Sequence, residues 1–230
     1  MRTPLEQKTH DNSLEMWDGY YSAQKPADGL FSSLIHWGRE VYFGNLFAER
    51  VIKLGGEARS YLELGVGTAQ TLARLQRLTG ARCVGIEKTP RAYEMGKLHA
   101  PNCEIVLGDG LNLPFADGAF EVVYSLGLFE HFEPEEQVRL LQEQARVANK
   151  RVLIEVPART PHMRFIMWVN RRLLGKRGVW ADDELFSPER FMHKFPGLPF
   201  EYYFDWASGA MTCWFVIHPK DILAYAGTAR

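Results

Sequence analysis

The chain has 230 residues, 46% of them hydrophobic and 24% charged, a balance that excludes a disordered or fibrous chain and suits one globular domain over 1–230. Lys and Arg number 27 against 28 Asp and Glu, and the net charge of -1 removes the global electrostatic case for coating nucleic acid. The start, Met1 to His10, has no apolar run of the signal-peptide kind, and the longest uncharged stretch, Trp206 to Pro219, is short against the roughly 20 apolar residues of a bilayer span, so a cytoplasmic protein is expected.

In chain order, helical patterns around Phe31–Trp37 and Val41–Leu54 predict an N-terminal helical cap over 1–54. Arg59–Leu64 then reads as a buried strand ended by Gly65-Val-Gly67, with a helix over Thr68–Thr79 carrying Leu72, Leu75 and Leu78 at helical spacing. Strands at Cys83–Ile86 and Cys103–Leu107 flank a helix at Pro90–His99 that has proline in its first turn. Phe120–Tyr124, a charged helix at Pro134–Ala148 and Arg151–Val156 repeat the unit, stopped by Pro157. Two aromatic-rich strands, Phe200–Trp206 and Met211–Ile217, predict a C-terminal antiparallel hairpin. The order implies an α/β, Rossmann-like doubly wound sheet, mainly parallel, with helices on both faces. The three cysteines, Cys83, Cys103 and Cys213, are far apart with no C-x-x-C pair, so no metal site or disulfide is expected; they read as thiols buried in strands.

In such a sheet the ligand sits beyond the carboxyl ends of the strands, where this sequence is informative. After the first strand, Glu63 stands beside the turn of Gly65, Val66, Gly67 and Thr68. Its carboxylate would repel phosphate and welcome an ammonium or sulfonium. A dinucleotide loop would want glycine at position 70, where Gln70 stands. After the second strand, Glu87 is placed about 20 residues past the turn, where a carboxylate accepts ribose hydroxyls. After the third, Asp109 can accept from an adenine amino group while the backbone N–H of Gly110 or Leu111 donates to the ring.

Residues 60–157 resemble the class I S-adenosylmethionine-dependent methyltransferases, in particular their small-molecule enzymes. The resemblance rests on Leu62-Glu-Leu-Gly65-Val-Gly67-Thr, on Gly108-Asp109-Gly-Leu-Asn-Leu-Pro114-Phe115 running to Phe120-Glu121-Val-Val, and on Ser125-Leu-Gly-Leu-Phe-Glu130-His131. It implies a seven-stranded sheet, S-adenosylmethionine as cofactor and S-adenosylhomocysteine (SAH) as product. Position by position it implies that Glu63 and the Gly65–Thr68 loop hold the methionine part, Glu87 the ribose, and Asp109 the adenine, with Lys88 flanking the adenosine. Ser125, Leu126 and Glu130 would border the same cofactor. Ala69, where the family often has a third glycine, and Asn149-Lys150, where a longer Pro-Gly-Gly turn is common, depart from the pattern.

A sulfonium methyl is already activated, so alignment and exclusion of water supply much of the barrier reduction and a base is optional. If one is used, His131 is placed for it; the alternative is a histidine that caps the next helix. Tyr20 and Tyr21 stand either to close over cofactor and substrate or to pack. Between Pro157 and Ala181 every charged residue is basic, interleaved with Phe165, Met167, Trp168 and Trp180, so the insertion over 158–186, with Arg164 and Trp168, is expected over the active site. Such a stretch suits an anionic or lipid-like substrate, a membrane surface or nucleic acid, or simply a solvated helix; a small anionic or aromatic metabolite is favoured over RNA. Two other functions share the pattern: a non-catalytic cofactor-binding regulatory or scaffold subunit, and a nicotinamide-dependent oxidoreductase, which fails at Gln70.

Overall fold

The computed structural model describes residues 14–21, 42–172 and 184–228. The helix expected at Phe31–Trp37 and the insertion's residues 173–183 lie outside them. Residues 14–21 form helix α1. They are followed by α2 (Phe43–Gly55), β1 (Ser60–Leu64), α3 (Gln70–Thr79), β2 (Arg82–Glu87), α4 (Pro90–His99), β3 (Glu104–Leu107) and β4 (Phe120–Leu126). A single 3-10 turn, Phe129–His131, leads to α5 (Pro134–Val147), β5 (Ala148–Pro157), α6 (Pro161–Arg172), α7 (Pro188–Lys194), β6 (Glu201–Asp205), β7 (Thr212–Ile217) and α8 (Pro219–Thr228).

The seven strands form one sheet in the order β3-β2-β1-β4-β5-β7-β6. The first five pair in parallel, whereas β7 runs antiparallel to both β5 and β6. The predicted hairpin is therefore present, but its second strand is the inner one. The order reverses direction between β1 and β4, the place where a doubly wound sheet opens a crevice at its carboxyl edge.

Alternation of side chains along each strand divides the core into two layers. Leu62, Leu64, Val84, Ile86 and Val123 pack beneath α5, α7 and α8. Tyr61, Cys83, Val122, Tyr124 and Trp214 pack on the other face, beneath α2 and α3. On α3, Leu72 and Leu75 are fully buried one turn apart, while Leu78, expected on the same face, is 44% exposed because the helix stops one residue later at left-handed Gly80.

The fourth crossover is shorter than expected. Helix α5 opens with Pro134 at its first position and a capping box between Glu133 and Glu136, then ends at Val147; β5 begins at the next residue. Asn149-Lys150 thus belongs to the strand rather than to a turn, and the register shift between Phe120 and Val122 absorbs the extra length. Arg146 fastens this corner. Its guanidinium pairs with Glu143 and Asp117 and donates to the carbonyls of Phe115 and Leu113. Cys83 and Cys213 are buried free thiols, as the composition suggested, and Cys103 is half-buried. Among the described residues no helix is long and apolar enough to cross a membrane, and no cluster of ligands suited to a metal occurs.

Candidate active site

At the crevice between the ends of β1 and β4 lies a cavity of about 800 Å³, within the usual range of small-molecule sites. The β1–α3 turn forms its floor. Gly67 has φ +52°, and a Cβ built there would lie 2.7 Å from the Tyr21 hydroxyl, so the absent side chain is what lets α1 settle on the loop. Ala69 takes the left-handed conformation (φ 58°, ψ 24°) that a third glycine would adopt without strain; the departure from the family pattern keeps the turn at a cost of roughly 1 kcal/mol.

Three carboxylates rise from successive strand ends. Glu63 on β1 is buried and accepts from the hydroxyl of Tyr124, its direct neighbour across the β1–β4 pair, at 2.8 Å. Burial pushes its carboxyl up to about 8, opposed by the tyrosine hydrogen bond and helped by the nearby Cys103 and Glu87. A cation placed against it would restore the charge. Glu87 on β2 is held rigidly: Oε2 accepts from the Gly67 N–H at 2.8 Å, and Oε1 from the N–H groups of Lys88 and Thr89 at 2.9 and 2.8 Å. Asp109 after β3 accepts from the Leu111 N–H at 3.0 Å and pairs with the Lys88 ammonium at 3.0 Å, so Lys88 spans the two loops. These geometries fit a nucleoside carrying a cationic tail. The glycine loop gives close backbone approach, Glu63 faces the tail, and Glu87 and Asp109 present acceptors to sugar and base.

Most residues expected at the site line this one cavity: Glu63, the Gly65–Thr68 loop, Glu87, Lys88, Asp109 and Gly110, and beyond them Leu126, Glu130, His131, Tyr20 and Tyr21. Four do not. The Leu111 side chain is buried in the core and its N–H is taken by Asp109 instead of facing a ligand. Ser125 points away from the crevice because its place on β4 alternates with those of Tyr124 and Leu126. Arg164 and Trp168 line a second cleft with Arg159, Glu184 and Arg190, which adjoins the main cavity at Met167. Helix α6 turns Met163, Ile166 and Met167 to the main cavity at i, i+3 and i+4, and its basic and aromatic face looks elsewhere, with Phe165 stacked on exposed Trp168. Of the described part of the insertion, the apolar residues Met163, Ile166 and Met167 are the ones that reach this cavity together.

The far end of the cavity, beyond β4 and β5, holds residues that sequence reasoning passed over. Glu155, on β5, is buried, and its Oε2 accepts from the Gly127 N–H at 2.8 Å. Burial raises its carboxyl to about 8 against that hydrogen bond. Its signal was a lone acid inside Val152-Leu-Ile-Glu-Val156, the one strand end whose ligand-facing residue had gone unexamined. Trp17 on α1 was also missed. Its ring meets His131 edge-on at 5.1 Å and clusters with Tyr20 and Tyr21. Burial pulls His131 down to about 4, with a backbone contact to Gly127 opposing, so its imidazole is neutral around pH 7.

Residues 62–151 match a family model described as a methyltransferase domain. The chain is 28% identical over 156 residues to ajmaline N-methyltransferase of Rauvolfia serpentina, covering 60% of this chain and 52% of that protein. It is 28% identical over 158 residues to a probable chloroplastic tocopherol O-methyltransferase of Oryza sativa subsp. japonica, covering 65% and 38%. The chain therefore spans about half, or less, of the length of these relatives. Among solved structures, magnesium protoporphyrin IX methyltransferase from Synechocystis PCC 6803 with bound SAH superposes with a TM-score of 0.62 at 12% identity, over 89% of this chain and 93% of that one.

Proposed function

From the premise that this chain belongs to the class I S-adenosylmethionine-dependent methyltransferases, we propose that it moves a methyl group to a nucleophilic atom of a small-molecule metabolite. Its cofactor, S-adenosylmethionine, supplies an activated methyl on a sulfonium. Glu63, ionised when a cationic group lies against it and oriented by Tyr124, holds the amino-acid part of the cofactor; the Gly65–Thr68 backbone carries its carboxylate end. Glu87 receives the ribose and Asp109 the adenine, with Lys88 fixing the Asp109 carboxylate.

Helix α1 and the apolar face of α6 exclude water from the far end of the cavity, where the acceptor lies. Alignment of this kind accounts for a large part of the rate enhancement when no covalent intermediate is required. The neutral imidazole of His131 offers a lone pair or an N–H to the acceptor without charging the site.

The observation that carries this function is the row of Glu63, Glu87 and Asp109 at three successive strand ends on one cavity wall. Calorimetric titration with S-adenosylmethionine, SAH and NAD tests it. Binding of the first two and not of NAD is expected, with Glu87→Ala and Asp109→Ala each weakening SAH by about 1 to 3 kcal/mol where a buried hydrogen bond is lost. NAD binding alone, or unchanged SAH affinity in folded variants, would overturn it.

A further inference from the structure

The charges around the cavity are lopsided. Besides the three carboxylates of the nucleoside end, Glu130, Glu133, Glu136 and Glu155 line the β4–β5 end. Against these seven acids the described residues that line the cavity include two basic ones, Lys88 and His131. Lys88 is engaged with Asp109 at the nucleoside end, and burial keeps His131 neutral. Glu133 and Glu136 form the capping box of α5. Glu130 and Glu155 flank one residue: Gly127 donates its N–H to Glu155 at 2.8 Å, and a Cβ built on Gly127 would stand 3.7 Å from Glu130 Oε1.

The remaining walls are apolar or aromatic. Trp17, Tyr20 and Tyr21 come from α1, Met163 and Met167 from α6, and Phe132 from the turn before α5. The arginines that the sequence offered to an anionic substrate, Arg159 and Arg164, face the other cleft.

We infer that the β4–β5 end of the cavity binds a small organic amine, its nitrogen set between Glu130 and Glu155 beneath the aromatic rings of α1 and its apolar body against α6. The inference rests on the methyltransferase function only in treating this end as the acceptor side. An ammonium group has both requirements met here: carboxylates to accept its hydrogens and ring faces that attract a cation. An ammonium set there draws Glu155 into its ionised form, whereas a carboxylate or phosphate would meet a further acid in place of a counter-ion.

Calorimetry on the SAH-loaded protein tests this with isosteric pairs: benzylamine against phenylacetate, phenethylamine against 3-phenylpropionate, and tryptamine against 3-indolepropionate. At least one amine is expected to bind 10-fold or more tightly than its carboxylate partner, with the preference lost in Glu155→Gln, whose fold is checked by circular dichroism. Equal binding within the pairs, preference for the carboxylates, or no binding of any amine to protein that does bind SAH would overturn the amine site and leave the methyltransferase function standing. Failure of SAH itself to bind would remove both. Should Glu155→Gln not fold, the wild-type pairs still decide the matter.

Discussion

Two fully buried carboxyls in one small protein make its stability depend on pH in an unusual direction. Glu63 and Glu155 are both raised to about 8 in the fold from an ordinary value of 4.5. Between those values the folded chain keeps protons that the unfolded chain has released, so stability present at low pH is lost as pH rises. From pH 6 to pH 7 each group removes about 1 kcal/mol. His131 acts oppositely: lowered from 6.5 to about 4, it leaves the unfolded chain holding more protons and returns roughly half as much over the same interval. The ligand-free protein should therefore be less stable at pH 7 than at pH 6 by about 1 to 2 kcal/mol. Urea denaturation at the two pH values measures this directly. Glu155→Gln and Glu63→Gln should each remove about 1 kcal/mol of the difference, and because His131 is common to all three proteins it cancels in the comparison. Stability that is flat or rising from pH 6 to 7 in the wild type, or slopes that the two variants leave unchanged, would refute the assignment of these carboxyls as protonated in the empty fold.

Two further outcomes follow from single contacts. Gly67→Ala should place a methyl against the Tyr21 hydroxyl at a left-handed residue, costing about 1 to 2 kcal/mol in stability and weakening SAH; adding Tyr21→Phe should recover the steric part but not the backbone strain, and no recovery by the second change would sink the proposed contact. Arg146→Met removes two backbone carbonyl bonds and two ion pairs at a side chain 29% exposed, so calorimetry should show a loss of about 2 to 3 kcal/mol, and a loss below about 1 would mean the corner holds without it.

The parallel half of the sheet was legible because its strands are short apolar runs, four of the five ended by glycine or proline, with amphipathic helices in three of the four crossovers. The carboxylates at its carboxyl edge were legible from topology, since residues at or just past each strand end stand beside the crevice. What escaped has equally local reasons. Helix α7 is only seven residues long, and α8 lies directly after an apolar strand, so neither shows a separate period. Ser125 and Leu111 sit beside true lining residues, and one step along a strand or turn reverses which way a side chain points. Arg164 and Trp168 drew notice by composition, yet it is their phase on α6 relative to Met163 and Met167 that decides where they face. Glu155 was hidden because one acid in a strand of valine, leucine and isoleucine does not disturb a strand pattern; only its burial and its bond to Gly127 mark it out.

The placement of β7 between β5 and β6 bears on the order in which the molecule assembles. The wall proposed to hold the nucleoside is made from β1 to β3 and their following loops, near neighbours along the chain. The opposite wall needs Met211 and Thr212, which join Glu155 only after α6, α7 and β6 have been made and β7 has threaded between two strands. Long-range pairings of that kind form late. Closing the wall that holds Glu155 therefore carries the larger loop-closure entropy of the two.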